Sequence, residues 1–300
     1  MRKWNMRCTY PSRPVTWLLA FSVILGLLPA LPGCSRRPPA RHYPLAGQVL
    51  AVRPDGTEIT ISHHDIKGFM PAMTMPFKVK EAAATKVLAP GDEVKATLCV
   101  TDDEAWLEQI EKTGHAPLPE RRTVELPAVE LLKPGDEVPD QTLLDQDGRA
   151  FRLSSLRGSA ILLTFIYTRC PIPDFCPRMD AWFSAVQKAV KEGRIPGKVH
   201  LLSISFDPEF DTPAVLKAHA ALRGADPTVW TYAAGLRQSF DPWAARLGLS
   251  VIRDATDPSD ITHNLRTVII DRHGRLVQIR DGNGWVPGQV IAALASVNAS

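Results

Sequence analysis

The chain carries almost no excess of charge: 35 Lys and Arg stand against 32 Asp and Glu, a formal balance of +3 over 300 residues. It has no long basic run, which argues against a dedicated nucleic-acid binder. It has no internal repeat and no low-complexity tract, so the reading is one of ordinary packed domains. The apolar stretch Val15 to Leu28 falls short of the ~20 residues that span a membrane comfortably. Cysteine is scarce, five in all, and two of these, Cys8 and Cys34, sit in the N-terminal region. Cys99, Cys170 and Cys176 remain. That odd number excludes a fully paired disulfide framework in an oxidising compartment, so at least one thiol is free or the thiols serve a metal or redox cycling. What is present is an apolar fraction of 45%, enough for packed cores, and a length that suits two domains.

The N-terminus has the layout of an export signal. Arg2, Lys3, Arg7 and Arg13 form a basic head, the apolar run follows, and then comes "LPGCS", Leu31 to Ser35. A small residue immediately before Cys after such a run resembles a bacterial lipoprotein cleavage box. On this reading residues 1–33 are removed, Cys34 becomes the lipidated first residue, and the protein is anchored to a membrane outside the cytoplasm. A plain signal peptide or an uncleaved anchor, with Cys34 incidental, is the alternative. Residues 34–42, including "RRPPAR", read as a short stiff tether.

From residue 43 to 114 the signals are strands. "LAGQVLAVRPDGTEITISH" alternates around a Pro-Asp-Gly turn, and "MTMPFKV", "DEVKATLCV" and "AWLEQIEK" continue the pattern. This predicts a small all-β, OB-like barrel of about five strands. Residues 115–134 are proline-rich and read as a linker, which would place His42 and His115 in connecting segments. Beyond it "AILLTFIY" is almost wholly apolar and suits a buried central strand. A helix is expected from about Pro177 to Val190, a second buried strand at "VHLLSISF", a helix from Pro213, a hairpin around "DRHGR" and a last helix near Pro287. Strand–helix–strand followed by hairpin and helix predicts an α/β, thioredoxin-like domain over 135–300.

Chemistry concentrates at two places. "TRCPIPDFCPRM" sits where the buried strand ends and the helix begins, and a helix N-terminus favours thiolate. Cys170 and Cys176 there could close a disulfide or grip a soft cation such as Cu(I). His263, in "SDITHNLRTVIID", precedes a strand whose leading loop faces the cysteine loop in a thioredoxin-like sheet. It is the candidate third ligand, because Cys and His together suit copper. The segments "GSAILLTFIYTRCPIPDFCPRM", "SISFDPEFDTPAVLKAHA" and "ITHNLRTVIIDRHGRL" resemble the Sco/SenC family of membrane-tethered copper proteins. The resemblance implies a thioredoxin-like fold that binds copper through Cys170, Cys176 and His263. It also implies a role in maturing the dinuclear copper site of cytochrome c oxidase, as metallochaperone, thiol reductant or both. The family usually has three residues between the cysteines; this chain has five, two of them proline.

The second place is "HHDIKGFMPAMTMPF", which holds Met70, Met73 and Met75, half of the chain's six methionines. On a strand Met73 and Met75 share a face. Methionine could simply fill a core, but Val or Ile would suit a strand better, and thioethers select Cu(I) in an oxidising compartment. "GQVLAV…ITISHHDIKGFMPAMTMPF" is similar to the CusF-type periplasmic copper-binding domain, in which a His and two Met bind Cu(I) beneath a Trp. That resemblance implies His63, Met73 and Met75 as ligands, with His64 the adjacent rival; where the Trp would stand the chain has Met70 or Phe69, and Met70 is a further candidate ligand as a third thioether. Cys99, mid-strand, reads as a small buried hydrophobe. The expectation is a copper-binding metallochaperone of the cell envelope. Its partners would be a membrane and a copper-accepting protein such as a cytochrome c oxidase subunit. The alternative is a thiol–disulfide oxidoreductase using Cys170 and Cys176.

Overall fold

The computed structural model describes residues 39–118, 129–253 and 261–299. Cys34 and the export signal lie outside the described residues, as does the middle of the proline-rich segment. No helix among the described residues is long and apolar enough to cross a membrane.

The first half is a five-stranded antiparallel sheet in the order β3-β2-β1-β4-β5. Its strands are β1 (Arg41–Val52), β2 (Glu58–His63), β3 (Met73–Lys78), β4 (Asp92–Val100) and β5 (Ala105–His115). One face is apolar in every strand: Ile59, Ile61 and His63 of β2 alternate inward opposite Phe77, Met75 and Met73 of β3. Gly56, at φ +72°, makes the turn between β1 and β2, the left-handed conformation that glycine takes without steric cost. Bulges in β1 and in the β4–β5 ladder bend the sheet. The bend brings Val79, just past β3, into a single bridge with Leu107 of β5. The five strands of the expected barrel are present, but the edges meet only there, so the sheet is curled rather than fully closed. His42 and His115 are strand residues, not parts of a tether or a linker. His42 lies in β1 opposite Cys99, and the His115 Nδ1 is 2.8 Å from the Asp92 carboxylate.

The second half is built on a seven-stranded mixed sheet, β14-β13-β8-β9-β10-β6-β7. Its strands are β6 (Thr142–Asp145), β7 (Ala150–Arg152), β8 (Ala160–Ile166), β9 (Val199–Ser205), β10 (Trp230–Ala234), β13 (Arg266–Ile270) and β14 (Leu276–Asp281). A two-stranded ribbon, β11 (Val251–Arg253) with β12 (Ile261–His263), stands apart from it. The helices are α1 (Cys176–Lys191), α2 (Pro213–Leu222), α3 (Arg237–Arg246) and α4 (Pro287–Ala299). Every residue of β8 is buried, as a strand covered on both faces requires. β8 and β9 run parallel, and β13 joins β8 antiparallel as the first arm of the β13–β14 hairpin. The unit β8-α1-β9 followed by β13-β14-α4 is the thioredoxin-like arrangement, with β10, β6 and β7 extending one edge. The end of the proline-rich segment belongs to this half: Leu132 is buried in its core and its N–H donates to the Arg246 carbonyl at 2.9 Å.

The two halves pack as parts of one compact unit spanning residues 38–300. Ile172 from the cysteine loop is buried in the core of the N-terminal sheet, with Cys170 and Phe175 packed against it.

Candidate functional site

The imidazole of His63 is the first functional group that the sheet prepares. It is the last residue of β2, turned inward, and only 2% exposed. Its ladder neighbour on β1 is Gly47, where a Cβ would come within 2.4 Å of the Ser62 carbonyl oxygen. Glycine is therefore what lets the two backbones approach at this point. The His63 Nδ1 lies 2.8 Å from the His64 carbonyl oxygen. A carbonyl only accepts, so Nδ1 is the protonated nitrogen and Nε2 carries the lone pair. That Nε2 is buried with no hydrogen-bond partner. Burial also depresses the pKa of this histidine, favouring the neutral ring. A neutral imidazole with its acceptor nitrogen unsatisfied, oriented by a carbonyl on the other nitrogen, is the arrangement of a metal-ligating histidine. His64 points to solvent.

Met73 stands directly opposite His63 in the β2–β3 ladder, and Met75 lies one inward position further along. Both are buried, and diagonal neighbours on one face of a sheet remain within reach of long side chains. Met70 is buried in the same core, on the turn between β2 and β3, where it bridges to Ile66. Phe69, a candidate for the missing Trp position, stacks on Tyr43 with ring centroids 4.4 Å apart.

The cysteine loop lies where β8 leads into α1. Cys176 opens α1 with Pro177 behind it, at a position where no N–H is needed. Both cysteines are free thiols. A hydrogen bond between them splits their acidities: donation from Cys176 lowers the pKa of Cys170, while the same bond, followed by burial, raises Cys176 well above the ordinary thiol value. Cys170 is half-buried and Cys176 buried. Cys170 is therefore the more accessible sulfur of the pair, and the one whose thiolate the shared hydrogen bond favours.

The loop between them is held from three sides. Asp174 is buried and pairs with Lys78 of β3 at 2.5 Å and with Arg178 of α1. Its carbonyl accepts from Asn283 at 2.7 Å. Arg178 also donates to the Asp103 carbonyl in the β4–β5 turn at 3.0 Å. The five-residue spacing thus supplies Ile172 as an apolar plug and Asp174 as an ionic clamp, both directed at the N-terminal half.

His263 ends β12. Its Nδ1 is 3.1 Å from the Asn264 carbonyl, so its lone pair too is on Nε2. Desolvation lowers its pKa to about 4. The ring packs between Tyr167 and Phe206, at centroid distances of 5.5 and 4.6 Å. β12 also touches β3, with the Thr262 hydroxyl 3.5 Å from the Thr74 carbonyl oxygen.

These pieces meet at a single cavity of about 270 Å³. Met73 and Met75 line one side, Cys170 and Ile172 another, and His263 with Tyr167 a third. Tyr167 joins the two ligand sets: its hydroxyl lies 3.5 Å from the Met73 sulfur, and its ring lies beside His263. His63 and Cys176 stand behind this lining rather than in it. Among the described residues no three His, Cys, Asp or Glu side chains converge closely enough to hold an ion. The thiols and His263 are therefore neighbours around a space, not a closed three-ligand shell. Sequence reasoning did not single out Tyr167, Lys78 or Asp174. Tyr167 had a usable signal, three residues before Cys170 at the end of the buried strand. The clamp had none, because Lys78 and Asp174 meet only in the folded chain.

A thioredoxin-like domain with a dithiol loop and a facing histidine, joined to a sheet domain with an inward histidine and two thioethers, defines a soft-metal and thiol protein. Residues 130–299 match SCO1/SenC, and the chain belongs to that family. Residues 42–112 match the copper binding periplasmic protein CusF. A "SCO1 protein homolog" of Bacillus subtilis (strain 168) is 30% identical over 149 residues, covering 49% of this chain and 74% of that protein. Two solved structures are similar. BsSco, described as a member of the Sco family of cytochrome c oxidase assembly proteins with a disulfide switch, is 25% identical with a TM-score of 0.48, covering 56% of this chain and 98% of that one. Bradyrhizobium japonicum ScoI with copper bound is 28% identical with a TM-score of 0.45, covering 54% and 99%.

Proposed function

We propose that this chain is a copper metallochaperone of the cell envelope that assists maturation of the copper site of cytochrome c oxidase. The copper ion is its cargo. The observation that carries the reading is the buried, unpartnered Nε2 of His63, held in the ligating tautomer directly opposite Met73. A buried acceptor left without a partner is costly unless something fills it. One nitrogen and two thioethers, none of them charged, suit Cu(I) over harder ions. The second set, Cys170, Cys176 and His263, adds thiolates and so suits Cu(I), and with the imidazole also Cu(II). Family membership and the CusF match support the same reading. The recipient would be a copper-accepting oxidase subunit, and Cys34 would carry the lipid that keeps the protein at the membrane.

Titration of the reduced soluble protein, started after Cys34, with Cu(I) against a competing chelator tests this. Two ions per chain are expected; one or none would overturn the two-site assignment.

Two free thiols on one loop, Cys170 the more accessible, favour a second activity, thiol–disulfide exchange. Cys170 would attack a partner disulfide and Cys176 would resolve the mixed disulfide. His263 separates the two activities, since exchange needs the thiols but not the imidazole.

A further inference from the structure

We propose that the cavity between the halves is an intramolecular transfer site, through which Cu(I) held by His63, Met73 and Met75 passes directly to Cys170 and Cys176 of the same chain. This rests on the copper reading above and specifies a donor for the cysteine site: the chain's own N-terminal domain.

Three features carry it. Met73, Met75 and Cys170 line one cavity of about 270 Å³ rather than two separate surfaces. The cysteine loop is fastened to the donor domain by Ile172, buried in that domain's core, and by the Lys78–Asp174 ion pair at 2.5 Å. β12, which carries His263, lies against β3, which carries the methionines. A domain that merely stored copper would not need the acceptor loop seated in its own core. The apolar lining contributed by Ile172, Phe175 and Leu265 also favours a soft ion kept from water over a hydrated one.

The step is ligand exchange without redox. Cu(I) remains monovalent throughout. Its bonds to His63 Nε2 and to the Met73 and Met75 sulfurs break as bonds to the Cys170 and Cys176 sulfurs form. Each thiol that binds gives up one proton, which leaves to water at the cavity mouth. Met73 is the hinge of the exchange, because it faces His63 in the ladder and the Tyr167 hydroxyl in the cavity. The thioethers, being neutral, release the ion readily to thiolates, so the direction runs from the methionines to the cysteines.

The test uses the full soluble chain, started after Cys34. One equivalent of Cu(I) is loaded while Cys170 and Cys176 are held as a disulfide. The disulfide is then reduced in the presence of a chelator trap, and arrival at the cysteines is followed by Cu(I)–thiolate absorption. The parallel sample mixes two variants: Cu(I)-loaded Cys170→Ser/Cys176→Ser as donor and reduced Met73→Ile/Met75→Ile as acceptor. Sites in one chain have effective concentrations on the order of millimolar. At about 1 μM protein the intact chain should therefore transfer roughly a thousandfold faster than the mixture. Its rate should not change on tenfold dilution, and the trap should not lower the yield. Copper captured by the trap, or a rate proportional to protein concentration, would overturn the relay. If the donor variant binds no Cu(I) at all, the copper reading of the N-terminal domain falls with it. An intact chain that binds Cu(I) while oxidised but loses the ion to the trap on reduction removes the relay alone.

Discussion

At the scale of single residues the two histidines use one device. In each, Nδ1 faces the carbonyl of the following residue, which fixes the tautomer and leaves Nε2 for a ligand. Their surroundings differ. His63 faces thioethers that never ionise, whereas His263 faces thiols. Substituting Met75→Ile keeps volume and apolarity and should cost less than about 1.5 kcal/mol. Met73→Ile should cost more, because the Tyr167 hydroxyl loses the sulfur it contacts, and an unpaired buried hydroxyl costs about 1–3 kcal/mol. The double variant should fold and lose the N-terminal Cu(I) site. Chelator competition on the Cys170→Ser/Cys176→Ser background measures that affinity, and unchanged binding would return the methionines to a packing role. His263→Ala should weaken or abolish a Cu(II) complex, seen as lost thiolate charge-transfer absorption, and lower Cu(I) affinity only moderately. Reduction of a test disulfide should survive, since it depends on the thiolate character and access of Cys170. If reductase activity vanished while copper binding persisted, His263 would be an acid–base partner of the cysteines instead.

At the scale of elements, the cysteine loop ties the two halves together. Five residues between cysteines make room for a residue that reaches the neighbouring core and for a carboxylate clamped by two cations. Asp174 is 3% exposed, so its charge is compensated locally, and removing one member of such a set is destabilising. Asp174→Asn should lower stability to urea by about 2 kcal/mol, given that Lys78 and Arg178 are partly exposed. It should also speed alkylation of Cys170 by a thiol reagent as the loop loosens. Equal alkylation rates in variant and parent would show that the clamp does not govern the loop. The strands and helices were largely legible: α2 begins where the proline places it, and β8 stands out as an almost wholly apolar run. β10 and α3 were not anticipated. Pro242 lies inside α3, which hides a helix from propensity, and β11 and β12 are too short to carry a period.

At the scale of the whole molecule, desolvated neutral imidazoles make the fold sensitive to acid. His200 and His263 are both held at about 4, below the ordinary 6.5, by desolvation. Between these values the unfolded chain binds more protons than the folded one. Their contribution to stability is therefore complete above about 6.5, is lost as the pH falls toward 4, and changes no further below that. His200, whose Nε2 is 2.9 Å from the Thr231 hydroxyl, lies outside the copper site and isolates the effect. His200→Gln should flatten the pH dependence of urea stability between pH 6.5 and 4 by up to about 1.4 kcal/mol per unit. A slope identical to the parent's would mean that the buried ring is not the source.

The sequence by itself determined the thioredoxin-like pattern and marked the candidate ligand residues, because each is written in short-range spacing: alternate positions on a strand, cysteines at a strand–helix junction, a histidine before a strand. Only the tertiary structure decided that Met73 and Met75 line one cavity with Cys170 and His263. Met73 and Cys170 are far apart along the chain, and the contacts that bring them together join residues from opposite halves: Ile172 in a foreign core, Lys78 on Asp174, Tyr167 on Met73. No local pattern encodes those pairs. Each side chain would be unremarkable on its own element, and its partner is fixed only when the two apolar surfaces pack and exclude water between them.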